Sequence, residues 1–351
     1  MLFCSSHRTK RPILRARRCE WMEDIWRTAA NCEVAAKPTI NLVRLAGSSG
    51  QHEQGRWISV KINLNLILDA KASLGEGPHW DHETKQLYFV DIEGKAVHVF
   101  HTVSHAHELH RFEKRVSSVI PATDDSLIVT LDDGIYRYYP HSGELEAIAH
   151  IEADMPDNRF NDAKCDPAGR LWAGTMSIGH AKDQGSLYRL ERCSEPVRVV
   201  TGVGCSNGLA WDESKGCMYY IDTLKLGVDR FRYHSGTAEI SGRETVIEWP
   251  PAEGYPDGMT IDNEGMLWIA HWGGGKVSRF DPDTGKRLAE IEVPALYVTS
   301  CVFGGERLDE LYITTARVVL SEDEHALYPH AGGVFMAKPG VRGTPSRRFV
   351  L

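Results

Sequence analysis

From Val60 onward, short apolar runs of period two alternate with polar turns, and the alternation itself recurs. Six segments share one grammar: a polar residue, a strand, a turn, then a second strand rich in Tyr, Trp, Val and Ile. They read EGPHWDHETKQLYFVDI from Glu76, SVIPATDDSLIVTL from Ser118, NDAKCDPAGRLWAGT from Asn161, NGLAWDESKGCMYYIDT from Asn207, DGMTIDNEGMLWIAHW from Asp257 and SCVFGGERLDELYITT from Ser300. The opening residues stand 42, 43, 46, 50 and 43 positions apart. The turns DDS, DPAGR, DESKG and DNEG carry hairpin chemistry between the paired strands. Third strands follow as VHVF, IYRYY, SLYRL, VDRFRY, KVSRF and GVFMA, and turns such as HSGE and DPDTG leave room for a fourth.

Four short strands repeated every 40 to 50 residues predict an all-β, six-bladed β-propeller. Long stretches of period 3.6 are absent and glycine is abundant, which argues against helical repeats of similar length. The strand INLNLILDA at 62–70 precedes the first unit and has no partner of its own. It is expected to complete the sixth blade and close the ring, which removes exposed sheet edges.

Composition changes this picture at one end only. The 351 residues carry a net charge of -8, yet residues 1–60 hold ten Lys/Arg against five Asp/Glu, leaving -13 for the rest. An acidic propeller is a poor match for a phosphate backbone. No apolar run approaches the ~20 residues that span a bilayer. The first 19 residues, MLFCSSHRTKRPILRARRC, contain no acid and no apolar stretch long enough for a secretory signal. The expected division is therefore a basic, unstructured extension over 1–60 and one propeller over 61–351. Eight cysteines without a CxxC pair indicate a reducing compartment, and the expected location is the cytoplasm.

The repeat also places a candidate site. The innermost strands of a propeller line its central channel, so Glu76, Ser118, Asn161, Asn207, Asp257 and Ser300 are expected to ring one end of it. All six bear side-chain oxygen and two are acids. Carboxylates crowded in a narrow, poorly solvated space repel unless a cation joins them, and Ca²⁺ takes 6–8 such oxygens. The competing view is a ring of hydrogen bonds between blades around a watery channel. Arg159, two residues before Asn161, is within reach of the channel mouth, where its planar fork suits carboxylate or sugar oxygens, but on the residues alone an ordinary rim arginine paired with an acid is the plainer expectation.

The motifs LGEGPHW, NRFNDAKCDPAGRLWAGTM, CSNGLAWDESKGCMYYIDT, PDGMTIDNEGMLWIA and SCVFGG, in this order, resemble the SMP-30/regucalcin/gluconolactonase family over residues ~62 to ~348. The resemblance implies a six-bladed propeller and a metal-dependent lactonase that hydrolyses sugar-acid lactones to aldonic acids. It implies one divalent metal ion, Ca²⁺ or Zn²⁺ with Mn²⁺ or Mg²⁺ as further candidates, held by Glu76, Asn207 and Asp257. It implies Arg159 and Asn161 as substrate-binding residues and Asp257 as the catalytic residue that orients or deprotonates the attacking water. The implied partner is a small-molecule sugar lactone, with no nucleic acid and no membrane, and a monomer or small homo-oligomer is expected. Many relatives carry an acid shortly after the GTM motif, where this chain has Ser177-Ile178-Gly179-His180 and a first acid at Asp183. That departure bears on substrate choice rather than on the metal.

Two alternatives keep the fold and change the function: a calcium-binding regulatory propeller without turnover, and a metal-dependent organophosphate or ester hydrolase. Several motifs read as decoys. The histidines at 98, 101, 105, 107 and 110 are expected to be solvated surface residues at the blade periphery, His271 a packing or rim residue, and Cys205 a buried structural thiol. The string GGGK at 273–276 lacks the spacing of a phosphate-binding loop.

Overall fold

The computed structural model describes residues 42–46, 57–61 and 63–351, the first two stretches as backbone only. They belong to the unit Ala36–Leu351. Six antiparallel sheets follow one another along the chain, as the repeat predicts. Their first strands are Gly75–Asp81, Val116–Pro121, Asn158–Cys165, Ser206–Asp212, Tyr255–Ile261 and Tyr297–Gly304. Each packs against the first strands of the two neighbouring blades, which closes a ring around a channel. Blade 6 is completed by Leu64–Leu68, which pairs with Val334–Ala337 in the register Val334↔Leu68. The N-terminal strand thus closes the last blade. Among the described residues no helix is long and apolar enough to cross a membrane.

Burial follows position in the blade. The first and second strands, sandwiched between neighbouring blades, are buried along nearly their whole length, as in Leu127–Leu131 and Ser206–Asp212. Outermost strands such as Glu144–His150 are largely exposed and carry the charge. An aspartate ends or follows the first strand in several blades and closes the hairpin turn. In blade 3, Asp166 accepts the backbone N–H of Ala168 at 3.0 Å and of Arg170 at 3.1 Å. In blade 5, Asp262 does the same for Glu264 and Met266, both at 3.0 Å. Each of these aspartates also reaches the indole of the following second strand, Trp172 at 3.0 Å and Trp268 at 2.9 Å.

Blade 5 carries two further strands. Leu42–Ala46 pairs with Lys286–Glu292, the blade's fourth strand, and Trp57–Lys61 pairs with Leu42–Ala46. The sequence reading placed the first, and all but Lys61 of the second, inside an unstructured extension. Runs of five residues beside a Gly-Ser-Ser-Gly stretch are too short to raise a periodic signal, whereas an unpaired fourth strand offers them a ready row of backbone partners. The rest of the extension lies outside the described residues.

The C-terminal segment crosses the far end of the channel and touches the first hairpin of every blade. Asn263 N–H donates to Arg342 O at 2.8 Å and Gly343 N–H to Leu308 O at 2.8 Å. Arg347 reaches Glu213 at 3.5 Å, and Arg348 pairs with Asp81 at 2.6 Å. Thr123 N–H donates to Phe349 O at 3.0 Å, and Val350 N–H to Gly169 O at 3.0 Å. Blades 5, 6, 4, 1, 2 and 3 are thereby laced together.

Candidate metal and substrate site

All six ring residues stand on first strands near the channel end opposite the C-terminal segment. Each lies at a break in the pairing of its strand with the next. The register shifts between Glu76 and His79, Val116 and Ser118, Phe160 and Ala163, Ser206 and Leu209, Pro256 and Met259, and Val298 and Ser300. A bulge re-aims side chains that the regular pleat would send to alternate faces. Glycines follow three of the ring residues. Gly77 has φ 54°, and a Cβ on Gly208 would sit 2.9 Å from Asp257 O, so neighbouring strands approach closely where the acids face one another.

Glu76, Asn161, Asn207 and Asp257 are all buried, at 4–7% exposure. Burial pushes the Glu76 carboxyl well above its ordinary value, with Asp162 adding to the rise, while the Gly77 amide and then Arg159 oppose it. Burial also pushes Asp257 up, followed by the charges of Glu76 and Asp162, with Asn207 beside it acting in the opposite sense. Two carboxylates therefore share a dry space, and the charge of Glu76 makes Asp257 harder to ionise.

The amide of Asn207 is oriented by its donor side. Its Nδ2 donates to Thr223 Oγ1 at 2.9 Å, and that hydroxyl donates to Pro256 O at 2.8 Å. Asn207 Oδ1 and Asp257 Oδ1 are buried without a partner. Orphaned oxygens of this kind are rare in a folded interior. The donor set is two carboxylates and an amide oxygen, the chemistry a hard divalent cation takes, so the residues fit such an ion. Among the described residues no three His, Cys, Asp or Glu side chains gather as a metal-binding group, and an asparagine makes the third member here.

Arg159 joins the ring from its edge. Its Nη1 donates to Asn161 Oδ1 at 2.7 Å and to Phe160 O at 2.8 Å. Asn161 Nδ2 donates to Ser206 O at 2.8 Å. The structure thus brings together all five residues singled out from the sequence. The two serines of the ring differ from them: Ser118 Oγ is spent on Thr130 Oγ1 at 2.8 Å, and Ser300 packs on Gly258, where a Cβ would meet its Oγ at 2.0 Å.

Sequence reasoning missed Asp162. A regular strand would turn it away from the channel if Asn161 faces in, but the register shift between Phe160 and Ala163 lets both act there. Its Oδ2 is buried without a partner. Lys164 counters it: each shifts the other toward its charged form, and Lys164 Nζ donates to Met259 O at 2.6 Å. The histidine-rich segment is also corrected in part. His98 is 5% exposed, stacked between Phe89 and His107, with its Nδ1 2.9 Å from His107 Nε2. The third strand of blade 1 is covered on both faces, which the polar sequence of the neighbouring strand concealed. His271 is fully buried against Trp249, and Cys205 is buried with its Sγ 3.5 Å from Met176 Sδ. A cavity of about 430 Å³ opens at the opposite end of the channel, lined by residues that include Lys164, Trp211, Thr260 and Arg347. The paired carboxylates are not part of it.

Comparison with known proteins agrees with this geometry. The family described as "SMP-30/Gluconolactonase/LRE-like region" matches residues 74–317. A protein of Bacillus subtilis (strain 168), named "Putative sugar lactone lactonase YvrE", is 44% identical over 78% of this chain and 94% of its own. Regucalcin of Oryctolagus cuniculus is 37% identical over 81% of this chain and 97% of its own. The structure of a calcium-binding protein, regucalcin, from Agrobacterium tumefaciens superposes with a TM-score of 0.79 at 27% identity, covering 83% of this chain and 98% of that one.

Proposed function

The chain belongs to the SMP-30/gluconolactonase/LRE-like family, and from that premise we propose that it is a metal-dependent hydrolase that opens sugar-acid lactones to aldonic acids. The observation that carries the reading is the buried pair Glu76 and Asp257 beside Asn207, with Asp257 Oδ1 and Asn207 Oδ1 left without protein partners. Glu76, Asn207 and Asp257 would hold one divalent ion, Ca²⁺ or Zn²⁺, with Mn²⁺ and Mg²⁺ as other occupants of an all-oxygen site. When bound, such an ion supplies Lewis acidity toward a carbonyl and makes water a better nucleophile at neutral pH.

The residues of this chain do the rest. Arg159 and Asn161 bind the oxygens of the lactone at the mouth. Their mutual hydrogen bond fixes the guanidinium plane, and the bond from Asn161 to Ser206 O fixes the amide. Asp257 orients the attacking water and accepts its proton. The water oxygen bonds to the acyl carbon, the acyl–ring-oxygen bond breaks, and the proton passes to the departing ring oxygen to give the hydroxy acid. All five described cysteines are free.

Asp257→Ala is expected to reduce lactone hydrolysis to background even at saturating metal. The assay follows acid release from glucono-, galactono-, arabinono- and xylonolactones after chelation and after adding back Ca²⁺, Zn²⁺, Mn²⁺ or Mg²⁺. Near-normal turnover in the variant would sink the scheme. A relative named as a calcium-binding protein keeps a second reading in view, a propeller that binds the ion without turnover. Ion binding with no metal-dependent turnover of any lactone or phosphoester would favour it.

A further inference from the structure

The channel mouth holds a guanidinium that forms no ion pair with a described carboxylate, although the charges of Glu93 and Glu76 act on it. Arg159 is 9% exposed, and its two acceptors, Phe160 O and Asn161 Oδ1, are both uncharged. Arg170, in the turn that leads into the next strand, is equally buried but pairs with Asp166 at 2.7 Å. A buried cation without a counter-ion is costly, and an anionic ligand relieves that cost.

The neighbouring charges are already matched. Glu93 acts on Arg159 but is held by Arg115 Nε at 3.1 Å, and Arg115 also reaches Asp132 at 3.8 Å. Deeper in the channel Asp162 faces Lys164. A divalent cation on Glu76 and Asp257 would cancel both of their charges. Among the described residues Arg159 would then be left as the charge without a dedicated counter-ion at the mouth.

The loop beside it adds no acid. Arg159 lies opposite Met176 in the sheet, and the loop that follows is tied to both sides of it. Ile178 N–H donates to Asp157 O at 2.7 Å, and Asn158 Nδ2 donates to Gln184 O at 3.1 Å. Between Ser177 and Lys182 the loop offers no carboxylate. Asp183 lies beside Gly202 on the blade's outermost strand, 3.9 Å from where a Cβ on that glycine would sit. His180 faces Arg159 closely enough that burial and that charge lower its imidazole to about 4, so it is neutral at pH 7.

We propose that this mouth prefers lactones bearing a second, negatively charged group, a carboxylate at the far end of the sugar chain, received by the Arg159 fork. The inference rests on the lactonase reading and names the substrate class within it.

The test compares the calcium-loaded wild type on D-glucono-1,4-lactone and D-glucaro-1,4-lactone, which share a ring and differ in a terminal carboxylate. The charged lactone is expected to have kcat/KM at least ~10-fold higher, the scale of discrimination that one paired polar contact gives. Titration calorimetry should show glucarate binding more tightly than gluconate. His180→Glu, which places an acid beside Arg159, is expected to remove both preferences, chiefly by raising KM for the charged lactone. Equal or better turnover of gluconolactone by the wild type, with glucarate bound no tighter than gluconate, overturns the charge preference and leaves the lactonase reading standing. No turnover of either lactone with any of the four cations overturns the lactonase reading itself.

Discussion

Gly258 is the position at which the fold and the site are most tightly coupled. It follows Asp257 and packs against the first strand of blade 6. A Cβ built on it would lie 2.0 Å from Ser300 Oγ, 2.5 Å from Ser300 Cβ and 2.9 Å from Ser300 Cα. A rotamer change can remove the first contact but not the other two, so Gly258→Ala must push the two strands apart. Overpacking of this kind costs ~1–3 kcal/mol, occasionally more. With a backbone atom among the contacts, the upper end, about 3 kcal/mol, is expected. At roughly 2–4 °C per kcal/mol, that is a fall in Tm of about 6–12 °C. The displacement moves Asp257, so metal affinity and kcat/KM should fall together. Ser300→Gly removes the Oγ and Cβ and leaves only the contact at 2.9 Å. The double variant should therefore recover part of the loss, with a coupling of ~1–2 kcal/mol between the two sites. Calorimetric unfolding and metal titration of the four proteins measure this. A wild-type Tm for Gly258→Ala, or strictly additive effects in the double variant, would refute the packing account.

Other consequences follow from the same geometry. Asp166 takes hydrogen bonds from Arg170 Nε at 2.7 Å, Trp172 Nε1 at 3.0 Å and Tyr233 OH at 2.8 Å in a fully buried setting, so Asp166→Ala should cost ~3–5 kcal/mol by stranding the guanidinium. Denaturant unfolding checks it, and a loss below ~1 kcal/mol would contradict it. The raised Glu76 and Asp257 carboxyls hold protons more tightly folded than unfolded, so the chelated protein should lose stability as pH rises from 4.5 to about 8. Adding Ca²⁺ should oppose that loss most strongly at the upper end, which melting curves across pH with and without chelator would show. Removing residues 342–351 cuts the ties to all six first hairpins and should lower Tm by several degrees while leaving the ring residues in place. An unchanged Tm would mean that the segment does not brace the ring.

The repeat was legible because each blade writes the same strand–turn–strand phrase, and ring residues sit at one point of that phrase. Glu76, Asn161, Asn207 and Asp257 could be found from spacing, whereas Arg159 stood out only through the resemblance of its NRFND motif to the family. Asp162 could not, since only the register shift after Phe160 overrides the alternation that would turn it away. The pairing of Leu42–Ala46 and Trp57–Lys61 with blade 5 was hidden for a different reason: the partner, Lys286–Glu292, lies far along the chain, and two five-residue runs carry no period. The C-terminal lacing was invisible because most of its ties are backbone hydrogen bonds, which no side-chain pattern in GVRGTPSRRFVL announces.

Repetition supplies six equivalent positions, but function requires that they stop being equivalent. Blades 2 and 6 place serines in the ring, and these serve the scaffold: Ser118 closes on Thr130, and Ser300 fills the space that Gly258 leaves. Blades 1, 4 and 5 place Glu76, Asn207 and Asp257, and a dedicated acceptor, the Thr223 hydroxyl, takes the Asn207 amide N–H and turns the amide so that its oxygen stays unpartnered. Blade 3 contributes an arginine–asparagine pair bonded to each other, with the guanidinium lacking a counter-ion among the described residues. A sixfold ring of identical acids would repel itself apart, and a ring of serines would saturate its own hydrogen bonds and leave nothing for a ligand. The ring thus divides into serines that serve the scaffold, amide and carboxylate oxygens without a partner on Asn207 and Asp257, and a guanidinium without an ion pair among the described residues, so its sectors differ in charge and in what each can offer a ligand.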